Sequence, residues 1–277
     1  MATLDEKYAL LLDQLRGLGS ALVAFSGGVD STVLLQAAHE ALGDRAIAVT
    51  ADSETYPREE LAEARELAAL IGCEHLVVHT NELENPGYAA NAPDRCYYCK
   101  KTLFSELEPI AAERGVAAIL YGAMADDVGD HRPGHRAAHE FRVLSPLLDA
   151  GIGKSEIRAL AQRMRLPNWN KPSYACLSSR IAYGEQVTAE KLRVLDEAER
   201  FVRGLGLSQF RVRHHDTLAR LELLPDEMPL AMEHRDAIVA RLKELGYIYV
   251  TLDLQGFRSG SMNEPRKAKG QTIELII

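Results

Sequence analysis

The string Ser26-Gly27-Gly28-Val29-Asp30-Ser31 stands between a short apolar run, residues 21–25, and a stretch whose apolar positions recur at helical spacing. Successive glycines permit backbone angles that turn consecutive N–H groups into one concavity, and a helix starting there adds the positive end of its dipole. Ser26 and Ser31 carry hydroxyls that can donate to phosphate oxygens, and Asp30 can hold the Mg²⁺ that bridges such oxygens. A Walker A loop would need a lysine directly before its Ser or Thr, and this loop has none. The bland alternative is a tight strand-to-helix turn capped by serine.

A second set of reactive side chains is sulfur. Cys96 and Cys99 form a Cys-x-x-Cys pair, Cys176 lies far downstream, and Cys73 stands alone in a segment that reads as core. Three thiolates suit a [4Fe–4S] cluster with one iron left open, although four ligands are usual. Structural zinc wants four ligands and finds no second pair here, and a redox disulfide between Cys96 and Cys99 is a further reading.

The third set is charge. Arg211 and Arg213 alternate along one strand and share a face, as an anion clamp requires, with Arg180 as a third candidate; surface solvation is the alternative. Asp126 and Asp127 follow Gly122 at a strand end, where carboxylates bind metal or orient an attacking group; otherwise Asp126 caps a helix and Asp127 is solvated. His214-His215 reads as a solvated strand end before a metal pair, and Trp169 as either a core anchor or a loop residue.

Strands and helices must hold these residues in place. Strands are expected at 21–25, 46–51, 75–79 and 117–122, with helices at 5–18, 29–42, 57–71, 101–114 and 154–164. That alternation indicates an α/β fold with a doubly wound parallel sheet over residues 1–167. Residues 168–277 change rhythm: helix 188–205 with Thr188 as N-cap, strands 209–214 and 218–224, helix 228–245 and strand 247–254. They read as a smaller C-terminal α+β domain that includes the Cys176 loop.

Net charge is −8; residues 1–167 carry 16 basic and 25 acidic side chains, residues 168–277 carry 16 and 15. Neither part has the basic excess of a dedicated nucleic-acid binder. With no apolar run long enough to span a bilayer and an acidic, non-signal-like start, a cytoplasmic protein without nucleic-acid or membrane partners is expected.

The phosphate loop resembles that of the PP-loop ATP pyrophosphatases, which cleave ATP between its α- and β-phosphates. The resemblance implies adenosine contacts around Thr50-Ala51-Asp52-Ser53 and Gly122 as part of the nucleotide site. Further strings narrow it: Asp130-His131-Arg132-Pro133-Gly134, Ser145-Pro146-Leu147, Lys154-x-x-Ile157-Arg158, Lys171-Pro172, Ala175-Cys176-Leu177-Ser178-Ser179-Arg180, Arg211-Val212-Arg213 and Gly256-Phe257-Arg258-Ser259-Gly260. Together they resemble the LarE family across nearly the whole chain. That family is the ATP-dependent sulfur transferases that build the nickel-pincer nucleotide cofactor of lactate racemase. It implies adenylation of a carboxylate of pyridinium-3,5-biscarboxylic acid mononucleotide by MgATP, followed by displacement of AMP by sulfur.

In some members one cysteine at the position of Cys176 is sacrificed. This chain departs from them in carrying Cys96 and Cys99 as well, which implies that the three cysteines hold a [4Fe–4S] cluster fed by sulfide or a sulfur-donor protein. Glu199 and Glu222 match acidic positions that, with Asp30 and Asp127, are candidates for a divalent ion; alone, each reads as a surface charge. Assembly into a homo-oligomer is also expected. The competing functions are a transfer-RNA thiolase, an NAD-synthetase-like amide former and a non-catalytic nucleotide-binding module.

Overall fold

The computed structural model describes residues 2–127, 133–172, 175–258 and 260–263. Of the motif residues, Asp130, His131, Arg132 and Ser259 lie outside the described set. The chain divides into two compact units, Met1–Tyr88 with Pro93–Tyr174, and Ala89–Ala92 with Ala175–Ile277.

In the first unit, strands β1 (Ala21–Ala24), β2 (Ala46–Asp52), β3 (Glu74–His79) and β4 (Ala118–Tyr121) form a parallel sheet of order β3-β2-β1-β4. Its helices are α1 (Leu4–Leu18), α2 (Val29–Leu42), α3 (Arg58–Ile71), α5 (Arg95–Glu113), α6 (Pro133–Glu140), α7 (Pro146–Asp149) and α8 (Lys154–Arg163), with a short α4 (Pro86–Ala89) running to its edge. Side chains alternate across a strand, so β1 feeds two cores. Ala21 and Val23 pack among Leu11, Leu15, Leu34 and Leu160 of α1, α2 and α8. Leu22 and Ala24 pack among Leu103, Phe104 and Leu107 of α5 and Ala137 of α6. Burial on both faces explains why β1 is apolar throughout rather than alternating. Strand order reverses between β1 and β4, and the crevice at their carboxyl ends is where open α/β sheets bind ligands.

The second unit pairs β5 (Phe210–His215) antiparallel to β6 (Leu218–Leu223), and β6 parallel to β7 (Tyr249–Leu252). Helices α9 (Ala189–Gly204), α10 (Met228–Glu233) and α11 (Arg235–Glu244) accompany this sheet. Thr188 caps α9 as expected, its Oγ1 accepting from the Lys191 amide at 3.3 Å.

Three expected elements differ in extent, and helices α4, α6 and α7 were not expected. Helix α5 begins at Arg95 rather than 101, so Cys96 and Cys99 belong to its opening turns. The single helix expected over 228–245 is broken at His234, while the buried Ala231, Ile238 and Leu242 carry the periodicity through the break. The last strand is only Tyr249–Leu252, because Tyr247 is buried beside His214 instead of pairing. Among the described residues, no helix is long and apolar enough to cross a membrane.

Candidate active site

Residues 26–28 direct their carbonyls into the protein. Tyr56 Oη donates to Ser26 O at 2.7 Å, Asn168 Nδ2 to Gly27 O at 3.0 Å, and Thr32 Oγ1 and Ser31 Oγ to Gly28 O at 2.9 and 3.0 Å. Burial, with Glu60 and Glu63 nearby, pushes the Tyr56 phenol well above its ordinary range, so the hydroxyl stays a donor. Ser31 Oγ also accepts from the Ser26 amide at 3.2 Å and meets Ser26 Oγ at 3.2 Å. With the carbonyls so engaged, the first-turn N–H groups of α2, which have no intrahelical acceptor, are a donor set that suits an anion.

Glycine is required at Gly27, where φ is +64° and a Cβ would lie 3.3 Å from Ala64 of α3. Gly28 is different: φ is −72°, open to any residue, so the expectation that both glycines supply special angles holds for one of them. Of these three glycines Gly122, just past β4, has the closest neighbour, since a Cβ there would lie 3.2 Å from the Ser31 amide nitrogen. The absent side chain brings the end of β4 onto the first turn of α2. Asp52, at the end of β2, accepts from Arg58, and its carbonyl accepts from the Thr80 amide.

Lys154, the first residue of α8, reaches the same place. Its Nζ lies 2.7 and 2.9 Å from the two carboxylate oxygens of Asp30, and its amide donates to Asp126. Asp126 therefore caps α8, a helix remote in sequence. Asp127, expected to be solvated if not a ligand, is instead buried and accepts from the Met124 amide at 3.1 Å. Lys171 is clasped by Glu60 and Glu63 of α3 at 2.7 and 2.6 Å. Trp169 is too exposed to anchor a core.

Cys96 is exposed and Cys99 half-buried, one turn apart on α5 and so on one face of it. Cys176 belongs to the second unit, where it opens the 3-10 turn Leu177–Arg180. Among the described residues, neither unit gathers three Cys, His, Asp or Glu side chains into a metal-holding group. Cys73 lies in the core, as expected, and burial pushes its thiol up to about 11.

The charged candidates of the second unit are buried in ion pairs. Arg180, with no exposed surface, meets Glu199 through Nε at 2.8 Å and Nη2 at 2.7 Å. Arg213 meets Glu222 through Nε at 2.9 Å and Nη2 at 2.7 Å, and Glu222 also accepts from Ser261 and Arg220. Arg211 lies over the Phe257 ring at 5.1 Å. Burial works to raise the Glu199 carboxyl, but Arg180, then Arg211 and the Val212 amide, hold it below its ordinary range. Neither glutamate is the surface charge that a lone acidic residue on a helix or strand suggests. His214, expected at a solvated strand end, is buried between Tyr247 and Glu185, each 3.0 Å away, and burial chiefly lowers its pKa.

Sequence reasoning missed the parts played by Asn168, Tyr56 and Asn91. Asn91, fully buried at φ +52°, donates to the carbonyls of Ile181, Ala182 and Glu185. Nothing local in Ala89–Ala92 signals this; only Lys154 had a signal, through the motif around it.

The family model of the queuosine biosynthesis protein QueC matches residues 20–96, which contain the phosphate loop. The pyridinium-3,5-bisthiocarboxylic acid mononucleotide synthase of Lactiplantibacillus plantarum is 41% identical over 95% of this chain and 96% of its own length. The chain belongs to the LarE family. Its class is that of an ATP-dependent sulfurtransferase. An uncharacterized protein of Synechocystis is 44% identical over 89% of this LarE-family chain and 92% of its own length. One component of the glutamine-hydrolyzing GMP synthase of Methanocella arvoryzae is 29% identical over 70% of the chain and 67% of its own length, a more distant likeness.

Proposed function

We propose that this enzyme converts a carboxylate of pyridinium-3,5-biscarboxylic acid mononucleotide into a thiocarboxylate. The observation that carries the reading is the near-full-length 41% identity to a synthase of the bisthiocarboxylic product. A carboxylate resists attack because its carbon is shielded by delocalised negative charge. One of its oxygens attacks the α-phosphorus of ATP, the bond to the β-phosphate breaks, and pyrophosphate leaves. A sulfur nucleophile then adds to the acyl carbon and AMP departs with its oxygen.

The phosphate loop performs the first half. Its amides and the α2 dipole receive the departing pyrophosphate, and Lys154 supplies a cation beside them. Asp30, a hard oxygen donor at the same helix start, fits a Mg²⁺ that neutralises the phosphates. Asp52 and Gly122 flank the nucleotide at the ends of β2 and β4. Arg180 and Arg213, each balanced by a buried glutamate, and Arg211 lie in the unit that carries Cys176.

For the second half, Cys96 and Cys99 fit two corners of a [4Fe–4S] cluster, being accessible thiols on one helix face, and Cys176 would be the third ligand. Such a cluster, when bound, supplies an iron that activates an external sulfide. A second reading, in which Cys176 gives up its own sulfur by breaking its Cβ–Sγ bond and ends as dehydroalanine, is favoured by one observation. Cys176 lies in the second unit, whereas Cys96 and Cys99 lie in the first.

Anaerobic purification, followed by incubation with MgATP, substrate and sulfide, separates the two. Iron and sulfide bound to the protein, many turnovers and an intact Cys176 support the cluster, and Cys96→Ala should then abolish both chromophore and turnover. A colourless protein that turns over once and loses Cys176 sulfur supports the sacrificial reading. Absence of thiocarboxylate in either case sinks the proposal.

A further inference from the structure

Cys176 sits at the head of a turn whose backbone is held by two buried guanidiniums. Arg180 Nη1 donates to Ala175 O at 2.6 Å, to Cys176 O at 3.2 Å and to Ser179 Oγ at 3.0 Å. Arg213 Nη1 donates to Ser179 O at 2.9 Å. Each guanidinium is fixed in turn by a carboxylate: Glu199 takes both Nε and Nη2 of Arg180, and Glu222 takes both Nε and Nη2 of Arg213. Glu199 further accepts from the Val212 amide at 3.0 Å, tying the assembly to β5. On the far side of the turn, Asn91 pins the carbonyls of Ile181, Ala182 and Glu185.

This arrangement conflicts with a direct role for Arg180 in binding an anion, because Arg180 has no exposed surface. It also conflicts with metal ligation by Glu199 and Glu222, which are 2% and 0% exposed and whose oxygens already face guanidinium N–H groups. Breaking such a pair leaves an uncompensated buried charge. We propose that Arg180 and Arg213 are positioning residues that set the backbone of the Cys176–Arg180 turn, and that Glu199 and Glu222 act through them. The buried pairs thereby fix where the Cys176 sulfur points, whichever way sulfur is delivered.

That Cys176 takes part in sulfur transfer rests on the proposed function; the positioning itself does not. The test compares Glu199→Gln and Glu222→Gln, which keep shape and remove charge, with the wild-type chain. Native iodoacetamide labelling of each cysteine is followed by peptide mass spectrometry, with amide protection of the β5–β6 hairpin reporting that the second unit is folded. The expected result is a rise of about threefold or more in Cys176 labelling while Cys73 stays protected. Turnover should fall about tenfold or more with KM for ATP unchanged, as misplacement of a reacting group predicts.

Ser179→Ala removes only the hydroxyl acceptor of Arg180 and is the milder arm, expected to raise Cys176 labelling about twofold even if a glutamine variant does not fold. Unchanged Cys176 labelling in every folded variant overturns the proposal. So does a raised KM for the carboxylate substrate at unchanged kcat, which would make the arginines an anion clamp. If the wild-type chain makes no thiocarboxylate, the functional reading fails while the labelling still judges the positioning.

Discussion

Lys154 meets both carboxylate oxygens of Asp30 in the first turn of α2. If it also stabilises charge on the departing pyrophosphate, Lys154→Met should slow substrate-dependent pyrophosphate release about 10²-fold, while the melting temperature barely moves. A rate within twofold of wild type would remove Lys154 from the account. Gly122→Ala places a methyl 3.2 Å from the Ser31 amide, so nucleotide affinity measured by calorimetry should fall with the fold retained. The loop residues were legible because six contiguous positions carry the signal. Asn168, Asn91 and Tyr56 were not, because each acts on a partner distant in the chain. Glu199 and Glu222 read as surface charges for the same reason: the arginines that bury them are neighbours only in the folded sheet and turn.

At the level of elements, the strongly patterned ones were legible almost to the residue, β1 and α2 above all, since a four-residue apolar strand followed by a helix leaves little choice. Helices α4, α6 and α7 escaped, being short and too small to show a full apolar face. The first turns of α5 escaped as well, because, of Cys-Tyr-Tyr-Cys, only Tyr97 packs, partly buried, against the core that fixes the rest of that helix. Capping was readable, and Thr188→Ala should lower the stability of the second unit by about 1 kcal/mol in denaturant unfolding. No change would mean that the Lys191 amide finds another acceptor.

For the whole molecule, the buried charges of the second unit make stability depend on pH. His214 and His215 are held below the ordinary imidazole range, chiefly by burial, so the stability they contribute is present above that range and is lost as pH falls through their lowered values. Glu199 repeats the pattern further into acid, since its folded carboxyl lies below its ordinary range. The unfolding midpoint should therefore fall in two stages on acidification, and Glu199→Gln should flatten the second; equal acid limbs would contradict the assignment.

In the proposed reaction ATP is cleaved between its α- and β-phosphates only when a carboxylate is there to receive AMP, with sulfur following. Its most direct test mixes the protein with MgATP and a sulfur source, with and without pyridinium-3,5-biscarboxylic acid mononucleotide, and assays pyrophosphate, ADP and thiocarboxylate together. Pyrophosphate is expected only with the substrate, one for each thiocarboxylate formed, with no ADP. Release of ADP, or of pyrophosphate at the same rate without the substrate, would contradict it.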